Sequence, residues 1–157
     1  QWDDLPAYFP RFPSPHRWLP LLQRHDALLR EAEPRVRVSA VSPEDVVRRQ
    51  YAESLELWRL ALAHGQPESV VDVGSGGGFP GLVIAAVAPA VRVLLVEPLR
   101  KRAVLLEELV SALGLANVTI DARRAEEAGR GEWRDAAGLV VALALAHLPE
   151  LLADTAP

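Results

Sequence analysis

The sequence predicts an α/β fold with a parallel, doubly wound sheet, and three observations predict it. From Val70 onward, short β-branched apolar runs alternate with longer amphipathic segments. That alternation makes parallel βαβ units with right-handed crossovers. The first run enters a glycine loop, with Gly74, Gly76, Gly77 and Gly78, and leaves it into the apolar helical stretch 82–87. The second run ends on an acid, Glu97.

Taken in order, residues 1–15 are rich in proline and aromatics, among them Trp2, Tyr8, Phe9 and Phe12. They read as an extended arm whose rings pack it onto the body; stacking on nucleic-acid bases is the alternative. A first helix is predicted over about 18–31, with Trp18, Leu21, Leu22, His25, Leu28 and Leu29 on one face. His25 reads there as a satisfied packing residue. Pro34 stops the helix, and residues 35–41 form a short extended connector. Ser42, Pro43, Glu44 and Asp45 carry a helix-start signal: a capping hydroxyl, a first-turn proline and acids near the positive dipole end. The helix that follows should reach about His64, burying Val47, Tyr51, Ser54, Leu55, Trp58 and Leu62, with Gly65 as its C-terminal cap. Strand one is placed over 70–73, helix A over 80–87, strand two over 91–96 and helix B over 98–113, ended by Gly114. Strand three falls near 117–121, strand four over 139–144, and a short helix over 147–153. The expected organisation is an N-terminal arm and helical extension, 1–65, followed by a nucleotide-binding Rossmann-like domain, 66–157. Such sheets have about seven strands. This one is expected to stop after strand four, with the C-terminal strands absent from the chain.

Composition narrows the function. The chain has 157 residues, 50% of them hydrophobic, and a net charge of −4, which does not advertise a nucleic-acid binder. There is no cysteine, which excludes disulfides, thiolate metal sites and a cysteine nucleophile. No uninterrupted apolar run reaches membrane-spanning length, and the first residues lack a signal-peptide pattern. The expectation is a cytoplasmic protein with no membrane and no metal, acting as a monomer.

The glycine spacing selects the nucleotide. Dinucleotide sites use G-x-G-x-x-G, but the third glycine position holds Phe79. The spacing here is G-x-G-x-G through Gly78, with Asp72 two residues ahead. Enzymes that use S-adenosylmethionine (SAM) carry this pattern, with a second acid roughly twenty residues on for the ribose hydroxyls. Glu97 stands there. The candidate cofactor residues are therefore Asp72, Gly74, Ser75, Gly76, Gly78, Phe79 and Glu97. Arg48 and Arg49, off the apolar face of their helix, are candidate RNA-phosphate contacts, with solvated charge as the alternative. Arg100, Lys101 and Arg102 open helix B, where cations oppose the helix dipole. A local rule broken beside a predicted site points to binding of RNA phosphate or of the cofactor carboxylate.

At VDVGSGGGFPG, followed by LLVEPLRKRAVLLEELVSALGL and RRAEEA, the sequence resembles the bacterial small-subunit ribosomal RNA (guanine-N7) methyltransferase G family, also called glucose-inhibited division protein B. The resemblance implies a SAM-dependent enzyme that methylates N7 of a guanine in 16S-type RNA, bare or within the assembling subunit. It implies that Gly74, Gly76 and Gly78 cradle the methionine part of SAM, that Glu97 holds the ribose, and that Ala125 with Glu126 lies against the adenine. Guanine N7 carries an in-plane lone pair, so no base need remove a proton, and catalysis can rest on positioning. The catalytic residues stay unassigned. Three strings depart from the family pattern. Gln50 and Glu53 replace the His and Asp of a string like RHxxDSL; Arg37, Val38 and Ser39 replace an Asn-Leu-Thr connector; Leu143 replaces an Arg on strand four. Leu143 and the absent C-terminal strands favour an alternative, a catalytically impaired SAM- or RNA-binding relative or fragment. A nicotinamide-dependent oxidoreductase is a third reading, opposed by Phe79.

Overall fold

The computed structural model describes residues 1–38, 41–123 and 138–141. Ala125, Glu126 and Leu143 lie outside them, as do the rest of strand four beyond residue 141 and the predicted helix over 147–153. Four parallel strands form one sheet in the order β3-β2-β1-β4: β1 (Ser69–Val73), β2 (Arg92–Val96), β3 (Val118–Asp121) and β4 (Leu139–Val141). Val71 of β1 stands in register with Leu94 of β2 on one side and Val140 of β4 on the other. β1 is buried along its whole length. Such a strand needs apolar β-branched residues on both faces, and SVVDV supplies three valines, with Ser69 and Asp72 as the two polar exceptions.

Helices α4 (Gly81–Val87) and α5 (Arg100–Leu113) make the two crossovers of the βαβ units. Every residue of α4 is buried, while α5 buries one stripe, Ala103, Leu105, Leu106, Leu109 and Leu113. Gly114 ends α5 at φ 65°, in the left-handed region that glycine enters freely. Asn117, just before β3, ties this half together. Its Nδ2 donates to the carbonyls of Val91 (2.8 Å), Ala85 (3.2 Å) and Ala88 (3.3 Å), holding the α4 end against the entry to β2. Asn117→Ala removes that donor from all three carbonyls, of which Ala88 O keeps Val91 N (3.0 Å), and urea unfolding is expected to show a loss of about 1–3 kcal/mol.

The N-terminal half departs from expectation in two places. Residues 2–8 are helical, not extended: a 3-10 turn (Trp2–Asp4) leads into α1 (Leu5–Tyr8). Pro6 in the first turn and the acids Asp3 and Asp4 just ahead suit a helix start. The rings do pack: Phe9 stacks on Phe12 at 5.4 Å and Trp2 meets Tyr51 at 4.7 Å, whereas Tyr8 stays exposed. The second departure follows Ser42. The Ser42 hydroxyl donates to the Asp45 carboxylate rather than capping an α-helix. The chain then winds as a π-turn (Val47–Ala52) before α3 (Glu53–Leu62) begins. The long helix α2 (Pro15–Ala32) starts three residues earlier than expected, with Pro15 at its first position. It buries Trp18, Leu22, His25 and Leu29 and packs on α4 and α5, while α3 packs on α4. One apolar cluster therefore runs from Leu5 and Phe9 through Trp58 and Ile84 to Leu106.

Candidate active site

The order β3-β2-β1-β4 reverses direction at β1, and the crevice beyond the carboxyl ends of the strands at such a point is where doubly wound sheets bind ligands. The glycine loop leaves β1 at that place. Gly74, Gly76 and Gly78 take φ of 70°, 56° and 103°, a region closed to most side chains. The loop is anchored by Gly74 N donating to Val96 O (2.7 Å) and Gly78 N donating to Ser75 O (2.7 Å). A Cβ built on Gly76 would meet nothing within 4 Å, so this glycine borders open space that a side chain would fill.

Two carboxylates underlie the loop, as the sequence predicts. Glu97, 3% exposed, receives Gly76 N on Oε1 (3.1 Å) and Leu99 N on Oε2 (2.9 Å). It thus links the glycine loop to the start of α5. Its negative charge there offsets the misplaced cations Arg100, Lys101 and Arg102. A carboxylate has about four lone-pair sites, so acceptor capacity remains for ligand hydroxyls. Asp72 is fully buried. Its Oδ2 receives Gly81 N (2.8 Å), the first amide of α4, while Oδ1 has no hydrogen-bond partner among the described residues. Burial pushes its carboxyl up to about 8; the Gly81 bond opposes the rise, and the charge of Glu97 adds to it. An orphaned buried acid beneath an open glycine cradle fits a cationic ligand. Ser75 is buried, its hydroxyl donating to Asp72 O (3.2 Å).

Phe79 is turned inward. It is 8% exposed, with its ring 5.1 Å from His25 and 5.0 Å from Tyr51. His25 and Tyr51 are the residues that sequence reasoning left in the core. His25 is buried, and its two nitrogens meet Gly77 O (2.8 Å) and the Tyr51 hydroxyl (3.0 Å). A histidine on an otherwise apolar helix face was the available signal; its partner, 52 positions away, was not. Asp121 is a further acid at the strand ends. It closes β3, and Arg123 donates to it from Nε (3.0 Å) and Nη2 (2.6 Å), which holds its carboxyl below the usual range.

The cations divide. Arg100 and Lys101 are exposed, and Arg102 Nη2 donates to Arg37 O (3.2 Å) in the connector after α2. Arg48 is held by Asp45 within its own turn (3.2 Å), and Arg49 is exposed. Among the described residues no hydrogen bond or ion pair joins the Arg48 and Arg49 pair to the Arg100 group. No cluster of acids and histidines among the described residues could hold a metal, and no described helix is long and apolar enough to cross a membrane.

Comparison with known proteins follows the same outline. Residues 21–157 match a family model described as "GidB: rRNA small subunit methyltransferase G". A Roseiflexus (strain RS-1) protein named ribosomal RNA small subunit methyltransferase G is 40% identical over 131 residues, covering 82% of this chain and 55% of its own. The protein of the same name from Sorangium cellulosum is 37% identical over 119 residues, 76% of this chain and 50% of its own. The chain spans about half the length of the curated relatives it matches. Among solved structures, a mutant of MtNAS in complex with S-adenosylmethionine superimposes with a TM-score of 0.54 at 23% identity, over 81% of this chain and 49% of that one. At that identity the likeness speaks for the fold.

Proposed function

Because the chain belongs to the GidB family, rRNA small subunit methyltransferase G, we propose that it binds SAM at the glycine loop and takes part in methylating N7 of a guanine in small-subunit ribosomal RNA. The observation that carries this reading is the pairing of an open cradle at Gly76 with the Glu97 carboxylate 3.1 Å from its amide, at the sheet's switch point. The named relatives support the substrate.

Bound SAM supplies an electrophilic methyl group on a sulfonium. The chain's residues do the rest. Gly74, Gly76 and Gly78 bring backbone close to the ligand, because no Cβ stands between them. Glu97 keeps acceptor capacity for the ribose hydroxyls. Asp72, which burial leaves largely protonated at neutral pH, becomes a counter-charge when a bound cationic ligand draws its pKa down. Ser75 and Phe79 hold the loop from beneath, and Ala125 with Glu126 is assigned to the adenine side. Guanine N7 attacks with a lone pair that is free at neutral pH, so no side chain need act as a base. Alignment of the two reactants is enough for a large acceleration. Arg49, Arg100 and Lys101, exposed on the surface, are suited to RNA phosphates, with Arg48 and Arg102 beside them.

The test is transfer of a labelled methyl group from SAM to small-subunit RNA, free or assembled, followed by identification of the modified base. Label in N7-methylguanine that depends on the chain is the expected result. Tight binding of a nicotinamide dinucleotide with none of S-adenosylhomocysteine would overturn the reading. Cofactor binding with no transfer would assign this chain to the binding-module alternative.

A further inference from the structure

Behind the glycine loop lies a hydrogen-bonded relay that the cofactor reading does not use. His25 belongs to α2 and Tyr51 to the π-turn, both in the N-terminal helical extension, yet they end on the carbonyl of Gly77 in the loop. A carbonyl only accepts, so His25 Nε2 must carry the proton and donate. Burial holds His25 down, to about 4, so at neutral pH the ring has one proton. Nδ1 is then a bare acceptor, and the Tyr51 O–H must donate to it. One arrangement of protons satisfies all three groups: Tyr51 O–H to His25 Nδ1, and His25 Nε2–H to Gly77 O.

The position of Gly77 gives this relay its importance. It lies between Gly76, whose amide is held by Glu97, and Gly78, whose amide is held by Ser75. Glycine torsions are soft on both sides, so the peptide between Gly77 and Gly78 depends on external contacts for its orientation. Packing limits the same spot: a Cβ on Gly77 would stand 3.3 Å from Val38 Cγ2 and 3.4 Å from Leu29 Cδ2, both in the extension. Phe79 closes the far side, edge to face with Tyr51.

We propose that His25, oriented by Tyr51, is a positioning residue for the cofactor: it fixes the Gly77 carbonyl, and through it the shape of the loop that binds SAM. The N-terminal extension is thereby part of the cofactor site. This rests on the SAM reading above.

The test compares Tyr51→Phe, His25→Gln, His25→Phe and the double variant Tyr51→Phe/His25→Gln, each verified as folded by circular dichroism. S-adenosylhomocysteine affinity is measured by calorimetry, and amide exchange of the loop by mass spectrometry on the ligand-free chain. Tyr51→Phe keeps the ring but lets the His25 proton choose either nitrogen. It is expected to weaken binding by about tenfold, the worth of one hydrogen bond, and to speed loop exchange. His25→Phe removes the donor and does at least as much. Gln carries a donor that needs no partner to orient it, so His25→Gln restores most of the affinity and makes Tyr51→Phe silent in the double variant. A purely structural role for Tyr51 would cost as much in the double variant as alone, and that result overturns the proposal. So would folded Tyr51→Phe and His25→Phe chains that bind and exchange like the parent. If the parent itself binds no S-adenosylhomocysteine, the SAM reading fails and the cofactor role of His25 fails with it. Unchanged loop exchange in the variants of a parent that does bind overturns the brace alone.

Discussion

Asp72→Asn is expected to reverse the pH dependence of stability and to weaken the cofactor site. The carboxyl of Asp72 is pushed from 3.8 up to about 8 in the folded chain. Between those values the folded state holds a proton that the unfolded state has released, so stability falls as pH rises through the window. Each pH unit is worth about 1.4 kcal/mol. His25 acts with the opposite sign. Its pKa drops from 6.5 to about 4 on folding, so the unfolded chain binds the extra proton and stability rises with pH across that interval. The two slopes largely cancel between about pH 4 and 6.5. Above that, Asp72 acts alone, and the parent chain should lose about 2 kcal/mol between pH 6.5 and 8. In Asp72→Asn the amide oxygen can still accept Gly81 N, but nothing titrates. The upper fall disappears, and the rise due to His25 emerges between pH 4 and 6.5. The amide NH2 takes the partnerless place of Oδ1, so the shape of the profile rather than its height carries the test. Urea titrations at half-unit steps of pH read it. In the same variant, affinity at pH 8 for SAM, whose sulfonium is cationic, should drop by about tenfold or more because the ionisable counter-charge is gone, while S-adenosylhomocysteine, a neutral thioether, should bind about as well as to the parent. In the parent, affinity for SAM should climb as pH approaches 8 and Asp72 ionises.

Gly81→Ala is expected to damage the fold itself. A Cβ there would stand 2.6 Å from Asp72 Oδ2 and 3.0 Å from its Cβ, and would collide with the Leu95 side chain. Leu95 is fully buried in β2 and cannot swing away. Gly81 also donates the amide that Asp72 receives, so the first turn of α4 must leave β1 to relieve the contact. Overpacking of this kind costs about 1–3 kcal/mol, and a lost bond to a buried carboxyl adds to it. Thermal unfolding of Gly81→Ala beside Gly114→Ala separates contact from backbone effects. Gly114 takes φ 65° but borders open space, so its variant should lose only about 1 kcal/mol. Equal losses in the two would refute the packing account.

Much of the site was legible because it is local. The order strand, glycine loop, helix lies within nineteen residues, Ser69 to Val87, and both acids follow from its spacing. The sheet followed from the alternation of apolar runs, and Gly114 announced the end of α5. The N-terminal half was harder to read. Apolar periodicity identifies a buried face but not what that face touches, so His25 and Tyr51 were placed in the core with no view of Gly77. The arm looked extended because Pro6 and Pro10 break helical runs, yet Pro6 sits in a first turn, where proline is tolerated. The start signal at Ser42 was present, but Asp45 took the hydroxyl and the chain continued as a π-turn. The candidate RNA contacts Arg48, Arg49 and the Arg100 group rest on sign of charge and position in the sequence. The described contacts tie Arg48 to Asp45 and Arg102 to the connector.

Calorimetric titration of the chain with S-adenosylhomocysteine, beside Gly76→Val, tests the central claim most directly. The product analogue avoids turnover, and Gly76 borders open space, so its side chain enters the cradle without striking the core. The account predicts saturable one-to-one binding by the parent and none by a Gly76→Val chain that remains folded. No binding by a folded parent, or equal binding by both, would contradict it.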